Sequence, residues 1–496
     1  MTIKLTKTDY ILYRDCPKNV WYKKHRPEIY KLVKLSDFEK ALMESGIEVE
    51  LVARKLFPNG VLIDSSNTKG QEETQEYLKQ KKDVLFQPVF CKDGYLAAID
   101  ILKYEPETGV YSVYEVKSKS SVDEKVYYHD LAFQVDLLRR FGLKINKSYI
   151  IHLNSEYVRA GKLDIVQLFK IVDVSDEVES LSGDIASEMA KALEYLSQDS
   201  EPAGFCSCVY KGRSKHCSTF KHANPEIPEY SVHDITRIGN SKKKLKELID
   251  NKVFLLDNIP AHMKLSENQQ NQVDAYVHNK VIIDKKMIAE ELGKLIFPLY
   301  FLDYETFNPA IPRFDGFSPY NQIPFQYSVH VLETIDSEPK HYDFLHIVTD
   351  DPSNLFAKSL QTHIGAKGSI VVWYKSFECT RNKEIAKRIP EHSDFFRSLN
   401  DRVYDLMDIF SKQYYIHKGF KGSASIKQVL PVLVPTLSYK ELTIQAGTEA
   451  GIAWNNINAG LLDDNEKTKA ISDLKKYCGL DTFAMYSIWL VLSKLR

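Results

Sequence analysis

Two sets of carboxylates in this chain have the spacing of metal ligands. Asp303 and Glu305 stand two apart at the end of the apolar run 295–302, so on a strand they share one face and can share one cation. Burying them there without a cation would be costly. Far downstream, Tyr477 precedes Asp481 by four residues, which places both on one face of a helix. Between them the strand-like run 370–374 leads into Lys375-Ser376-Phe377-Glu378. The second set is Asp100, in the middle of the apolar run 97–102, with Glu115 and Lys117, again two apart on a strand face. Acids that hold a hard divalent cation, beside a lysine that positions water or meets charge on a phosphate, suit metal-dependent phosphodiester hydrolysis.

Seven cysteines are too few for a disulfide framework. Three of them, Cys206, Cys208 and Cys217, fall within twelve residues, and such clustering suggests a metal before a disulfide.

Positioning these groups calls for an α/β framework. Residues 5–53 read as helical, with Phe38, Ala41, Leu42, Ile47, Leu51 and Ala53 near a 3.6-residue period. Strands are predicted over 84–90, 95–104 and 110–116, separated by Lys92-Asp93-Gly94 and Pro106-Glu107-Thr108-Gly109. A helix over 123–141, closed by Gly142, and a strand over 147–153 complete this core. Residues 200–230 are rich in Pro, Gly, Cys and Ser and break all periodicity, which ends the first domain near residue 225. A helical, lysine-rich connector, 226–295, precedes a second α/β domain, 296–496, with strands predicted over 295–304, 325–332, 342–347 and 369–373. A chain of 496 residues is expected to hold two or three domains.

The order of Asp100, hairpin, Glu115-x-Lys117 and helix resembles the PD-(D/E)XK restriction-endonuclease-like core of RecB-type nucleases. That resemblance implies metal ligation by Glu50, Asp100 and Glu115, with Lys117 catalytic and Gln134 approaching the site from the following helix. The tyrosine usual four residues after that glutamine is replaced by Leu138. Cys16 near the start and Cys206, Cys208 and Cys217 at the end of the same domain are similar to the iron–sulfur-stapled branch that includes CRISPR-associated RecB-like nucleases. The resemblance implies a 4Fe-4S cluster, with zinc as the competitor and His216 as a spare ligand. Asp303-x-Glu305, Glu378 and Tyr477-x3-Asp481 resemble the tyrosine variant of the DEDD exonucleases, the DnaQ-like branch of the RNase H-like fold. Glu378 stands there where Asp is usual, with Asp405 or Asp408 as the fallback fourth acid of that pattern. Mg²⁺ or Mn²⁺ would serve both centres, and Tyr477 would orient the attacking water. Together the halves resemble a bacterial family that fuses a RecB-like nuclease to a DnaQ-like domain.

Basic and acidic residues number 66 and 67, which excludes a histone-like polycation and leaves room for local patches. Residues 211–246 carry nine Lys or Arg against three acids, and residues 14–34 carry seven against two, interleaved with Trp21, Tyr22 and Tyr30. Aromatics among cations suit single-stranded nucleic acid. Lys242, Lys243 and Lys244, beside a loosely helix–hairpin–helix-like stretch at 232–242, and Lys427 are candidate phosphate contacts. The expected partner is nucleic acid, DNA with single-stranded character, and no membrane. No secretory signal or 18-residue apolar run is visible, so a cytoplasmic location is expected. The leading reading is a metal-dependent deoxyribonuclease. Its competitors are a nucleic-acid-binding protein with vestigial sites and an RNA exonuclease.

Overall fold

A computed structural model describes residues 3–32, 37–64 and 69–495; Lys34 of the basic run and the side chains of Asp37 and Phe38 lie outside that set. The chain forms two units, Met1–Ile227 with Pro309–Tyr320, and Pro228–Asn308 with Asn321–Arg496. Both are mixed α/β.

The first unit holds β1 (Leu5–Thr6), β2 (Val61–Leu62), β3 (Val84–Phe86), β4 (Val89–Lys92), β5 (Tyr95–Ala98), β6 (Ile101–Glu105), β7 (Val110–Lys117), β8 (Ile145–Leu153) and β9 (Phe169–Asp173). Six of these form one sheet in the order β2-β3-β6-β7-β8-β9, and β1-β5-β4 form a second. β7 and β8 run parallel because the helix Glu124–Arg140 carries the chain back between them; β6 pairs antiparallel to β7. Two strands read as continuous in the sequence are each broken. Gln87 takes a left-handed φ of 54°, splitting β3 from β4, and its N–H donates to the Asp100 carbonyl at 3.2 Å, where β5 gives way to β6. Asp100 therefore stands at the crossing from one sheet to the other and not in mid-strand. The segment Pro309–Tyr320 belongs to this unit: Ala310 and Ile311 join Val49, Ala53, Phe86, Ile101 and Ile151 in its core.

The second unit holds β10 (Ile282–Ile283), β11 (Leu299–Phe307), β12 (Ile323–Leu332), β13 (Lys340–Leu345), β14 (Ser369–Val372), β15 (Val403–Asp405) and β16 (Tyr415–Ile416). Its main sheet runs β13-β12-β11-β14-β15, antiparallel over the first three and parallel from β11 onward. Period-two alternation decides the faces. Tyr300, Leu302 and Tyr304 of β11 and Tyr327, Val329 and Val331 of β12 pack with Phe356 and Leu360 in one core layer. Phe301 faces the other way, its ring 6.0 Å from that of Trp489 on the long helix Asp464–Ser493. Asp303 and Glu305 share Phe301's parity and so meet the same helix. All ten residues of β12 are buried, and its polar ones bond to that helix: Gln326 Nε2 donates to the Leu474 carbonyl at 3.0 Å, and Ser328 Oγ lies 2.7 Å from Thr482 Oγ1. In the connector, Val232–Asp234 and Ile238–Asn240 are single 3₁₀ turns, and the left-handed residue between them is Arg237, not glycine. Among the described residues no helix is long and apolar enough to cross a membrane.

Candidate active sites

Glu115 organises the centre in the first unit. It sits in β7, buried, and accepts from Lys117 Nζ at 2.7 Å, from Gln134 Nε2 at 2.8 Å and from Lys7 Nζ at 3.1 Å on each oxygen. Lys117 reaches in turn to Asp130 Oδ2 at 2.6 Å, and Asp130 and Gln134 lie one helical turn apart on Glu124–Arg140. Asp100 Oδ2 accepts from the Val116 N–H at 2.9 Å, and its Oδ1 lies 3.6 Å from Lys7 Nζ. Glu50, at the C-terminal end of the helix Asp37–Ala53, is tied by Arg54 at 2.6 Å and by Gln87 Nε2 at 2.5 Å; Gln87 also reaches Asp100 at 3.3 Å. The structure thus brings Glu50, Asp100, Glu115, Lys117 and Gln134 together. Leu138 is fully buried core, so no hydroxyl is supplied from that position.

Asp100 and Glu115 are tuned apart. Burial and the Glu115 charge push Asp100 up to about 7 against the pull of Lys7. Burial would raise Glu115 as well, but Lys117 and Lys7 overcome it and hold Glu115 well below the usual carboxylate range. Burial would lower Lys117, and the charges of Glu115 and Asp130 keep it firmly protonated.

In the second unit, Asp303, Glu305, Tyr477, Asp481 and Lys427 line one cavity of about 230 Å³, together with Trp373 and Gly447. Asp303 and Glu305 come from β11; Tyr477, Cys478 and Asp481 lie one turn apart on Asp464–Ser493. A Cβ on Gly447 would stand 3.3 Å from Glu305 Oε2, so a glycine there leaves the carboxylate its space. Tyr439 Oη donates to Asp481 Oδ1 at 2.6 Å, and Tyr477 also bonds to Asp481. Lys427 Nζ lies 5.7 Å from the ring centres of both tyrosines and donates to the Gln445 carbonyl. Glu378 is not at a strand end but in the first turn of the helix Lys375–Arg388, buried, with its Oε2 lacking a hydrogen-bond partner. Asp405 instead caps that helix, accepting from the N–H groups of Tyr374 and Lys375 at 3.1 and 2.7 Å, while Asp408 pairs with Lys412 at 2.8 Å.

Among the described residues no ion pair reaches Asp303, Glu305, Glu378 or Asp481. Burial, then mutual repulsion, pushes Asp303 and Glu305 up, and burial pushes Asp481 up to about 6 and Glu378 up to about 8. Both tyrosines are raised by burial and by the Asp481 charge, so their hydroxyls keep their protons. Ligand-type atoms of Asp303, Glu305 and Cys478 all lie within 4.8 Å of one another. Cys478, whose Sγ is 3.8 Å from Asp303 Oδ2, was not expected there; its place three residues before Asp481 was the available signal.

Cys16, Cys206, Cys208 and Cys217 gather likewise, with all four Sγ atoms within 4.8 Å of one another. Cys16 is the hinge residue between the helices Lys7–Asp15 and Pro17–His25. His216 turns its Nε2 to the Lys211 carbonyl at 3.0 Å and stacks on Phe220.

Within the aromatic and basic run 14–34, Arg14, Arg26 and Lys31 are exposed and Tyr30 is half-buried, whereas other members are taken up by the fold. Trp21 and Tyr22 are buried, donating to the Gln198 carbonyl at 2.9 Å and to Glu201 at 2.8 Å, so neither ring is open to a base. Lys23 and Lys24 both pair with the buried Asp9, at 2.7 and 2.5 Å. Lys242 and Lys243 are exposed and Lys244 half-buried on the helix Lys242–Asp250, whose Leu245, Leu248 and Ile249 face inward.

Residues 300–425 match the family described as a domain of unknown function, DUF2779. The chain is 26% identical over 291 residues to the uncharacterized protein UU173 of Ureaplasma parvum serovar 3, which covers 54% of this chain and 41% of that protein. It is 30% identical over 213 residues to the uncharacterized protein MG366 of Mycoplasma genitalium, covering 39% and 32% respectively. A Mycoplasma pneumoniae homolog of MG366 is 26% identical over 300 residues, covering 53% and 45%. The matched regions span less than half the length of these relatives. The DUF2779 match takes in Asp303, Glu305 and Glu378 and stops before Lys427, Tyr477 and Asp481.

Proposed function

We propose that this protein is a metal-dependent nuclease with two hydrolytic centres, a PD-(D/E)XK-like one in the first unit and a DEDD-exonuclease-like one in the second. The observation that carries this reading is the electrostatic imbalance of the second centre. Four carboxylates lie within charge range of one another, Glu305, Glu378 and Asp481 buried and Asp303 half-buried. No described residue forms an ion pair with any of them, and the Lys427 charge offsets only part of the burial of Glu305 and Asp481. Each uncompensated buried charge costs several kcal/mol, so such a site is stable in ionised form only with a cation. The carboxylate oxygens of Asp303 and Glu305, which stand within 4.8 Å of each other, fit Mg²⁺ or Mn²⁺. When bound, the cations would supply an activated water and shield the phosphate charge. The chain's own residues would do the rest. Tyr477, still protonated, orients the attacking water, and Tyr439 fixes the Asp481 carboxylate by its 2.6 Å hydrogen bond. Lys427, over both rings at the cavity wall, meets a phosphate oxygen.

In the first centre, Asp100, Glu115 and Glu50 would hold the cation while Lys117, fixed by Glu115 and Asp130, faces the phosphate. The parallel pair β7–β8 joined by a helix, with the acids on β7 and at the β5–β6 break, supports the PD-(D/E)XK reading. A central strand that pairs antiparallel on one side and parallel on the other supports the RNase H-like one. Single-stranded DNA is the proposed substrate, on the strength of the exposed Lys242 and Lys243. A second reading, in which the first centre binds strand without cutting, is favoured by one contact: the Lys7 ammonium lies on both Glu115 oxygens, where a cation would bind. The test is degradation of labelled single- and double-stranded DNA and RNA with Mg²⁺ or Mn²⁺. Cleavage stopped by chelator is expected, and no cleavage of any of the four substrates would overturn the proposal.

A further inference from the structure

We propose that Cys16, Cys206, Cys208 and Cys217 hold one tetrahedral zinc ion, and that the 4Fe-4S cluster implied by the family resemblance does not fit these residues. The inference is independent of the nuclease reading.

Size separates the two groups. Zinc–thiolate bonds of about 2.3 Å, arranged tetrahedrally, set neighbouring sulfurs about 3.8 Å apart. Cys16 Sγ and Cys217 Sγ are 3.7 Å apart, and no pair among the four exceeds 4.8 Å. That separation is far too long for a disulfide, whose sulfurs stand about 2.05 Å apart. It is too short for a cubane. There each thiolate ligates a different iron and projects outward from its own corner, which sets the sulfurs about 6 Å apart. Sulfurs this close leave no interior for four irons and four sulfides.

Four thiolates within 4.8 Å of one another would repel strongly, and a cation between them removes that repulsion. The surroundings are those of a built ligand set. Asn224, fully buried, donates from Nδ2 to Cys206 Sγ at 3.2 Å and accepts from the Cys206 N–H at 3.1 Å, holding that residue by its sulfur and its backbone. Thr219 Oγ1 lies 3.8 Å from Cys217 Sγ. Tetrahedral all-sulfur sites take zinc or iron–sulfur clusters. With the cubane excluded by size, zinc remains, and a closed four-thiolate shell with no open position is a structural site.

The experiment is elemental and acid-labile sulfide analysis of the full-length protein purified without oxygen. Expected are one zinc per chain, no sulfide and no visible absorption. Cobalt exchanged into the site should give the intense visible bands of tetrahedral cobalt thiolate. Asn224→Ala keeps all four sulfurs and should weaken zinc binding about ten- to a hundredfold. Stoichiometric iron, with or without sulfide, overturns the proposal. So does a chain that carries neither metal and takes up no cobalt. Neither readout involves cleavage, so failure here and failure of the nuclease reading are separate results.

Discussion

Lys7 places its ammonium on both oxygens of Glu115, at 3.1 Å each, and 3.6 Å from Asp100, although 108 positions separate it from Glu115. It is the first residue of a helix whose cap, Thr6, is held by Asp9 in a reciprocal pair of bonds, so its position is set by local structure. Lys7→Met should remove a resident cation from between two acids. Manganese affinity at the first centre should rise, read by calorimetry, while the chelated protein loses about 1–3 kcal/mol in denaturant unfolding, the cost of one charged hydrogen-bond partner, since Glu115 keeps Lys117 and Gln134. An unchanged manganese affinity would mean that Lys7 and the metal do not compete. Asp481 carries the opposite prediction. Its folded pKa, about 6, lies above the unfolded value of ~3.9, so the ionised group destabilises the metal-free fold at neutral pH. The relief is complete below ~3.9 and is lost as pH rises through about 6. Asp481→Asn should therefore stabilise the metal-free protein at pH 7 by roughly 3 kcal/mol and flatten its stability between pH 6 and ~4.

At the scale of elements, two helices decide whether the second centre is open. Asp464–Ser493 brings Tyr477, Cys478 and Asp481 against the face of β11 that alternation assigns to Asp303 and Glu305. The helix Gly447–Asn458 approaches closely because Gly447 lacks a side chain beside Glu305 and Gly451 lacks one beside the Thr306 carbonyl, 3.2 Å from where its Cβ would be. Gly447→Ala should weaken metal binding several-fold, measured by manganese titration, with a small change in thermal stability.

Much of this was legible beforehand. The apolar strand ending in Asp303 and Glu305, the Tyr477–Asp481 spacing and the pairing of Glu115 with Lys117 all follow from two local periods. What was hidden depends on tertiary context. A left-handed Gln87 turns one strand into two and moves Asp100 to a crossing. Lys7 reaches the site through folding and not through spacing. Trp21 and Tyr22, read as base-stacking rings, serve as packing because Gln198 and Glu201 stand ready to bond their polar atoms.

On the scale of the whole molecule, the two units each carry one set of acids but treat them differently. The first surrounds Glu115 with two ammonium groups and an amide; the second leaves its carboxylates without an ionic partner among the described residues. Metal should therefore stabilise the second unit more. In full-length protein, adding Mg²⁺ to chelated samples should raise the melting transition of wild type, raise it less in Asp481→Asn, and leave the increment nearly unchanged in Lys117→Ala. The most direct test of two hydrolytic centres is the product pattern from end-labelled single-stranded DNA with Mn²⁺, compared among wild type, Lys117→Ala, Asp481→Asn and the double variant. Each single variant is predicted to lose a different part of the pattern, with Asp481→Asn abolishing stepwise trimming from an end, and the double variant is predicted to be inert. Identical patterns in all four proteins would contradict the account.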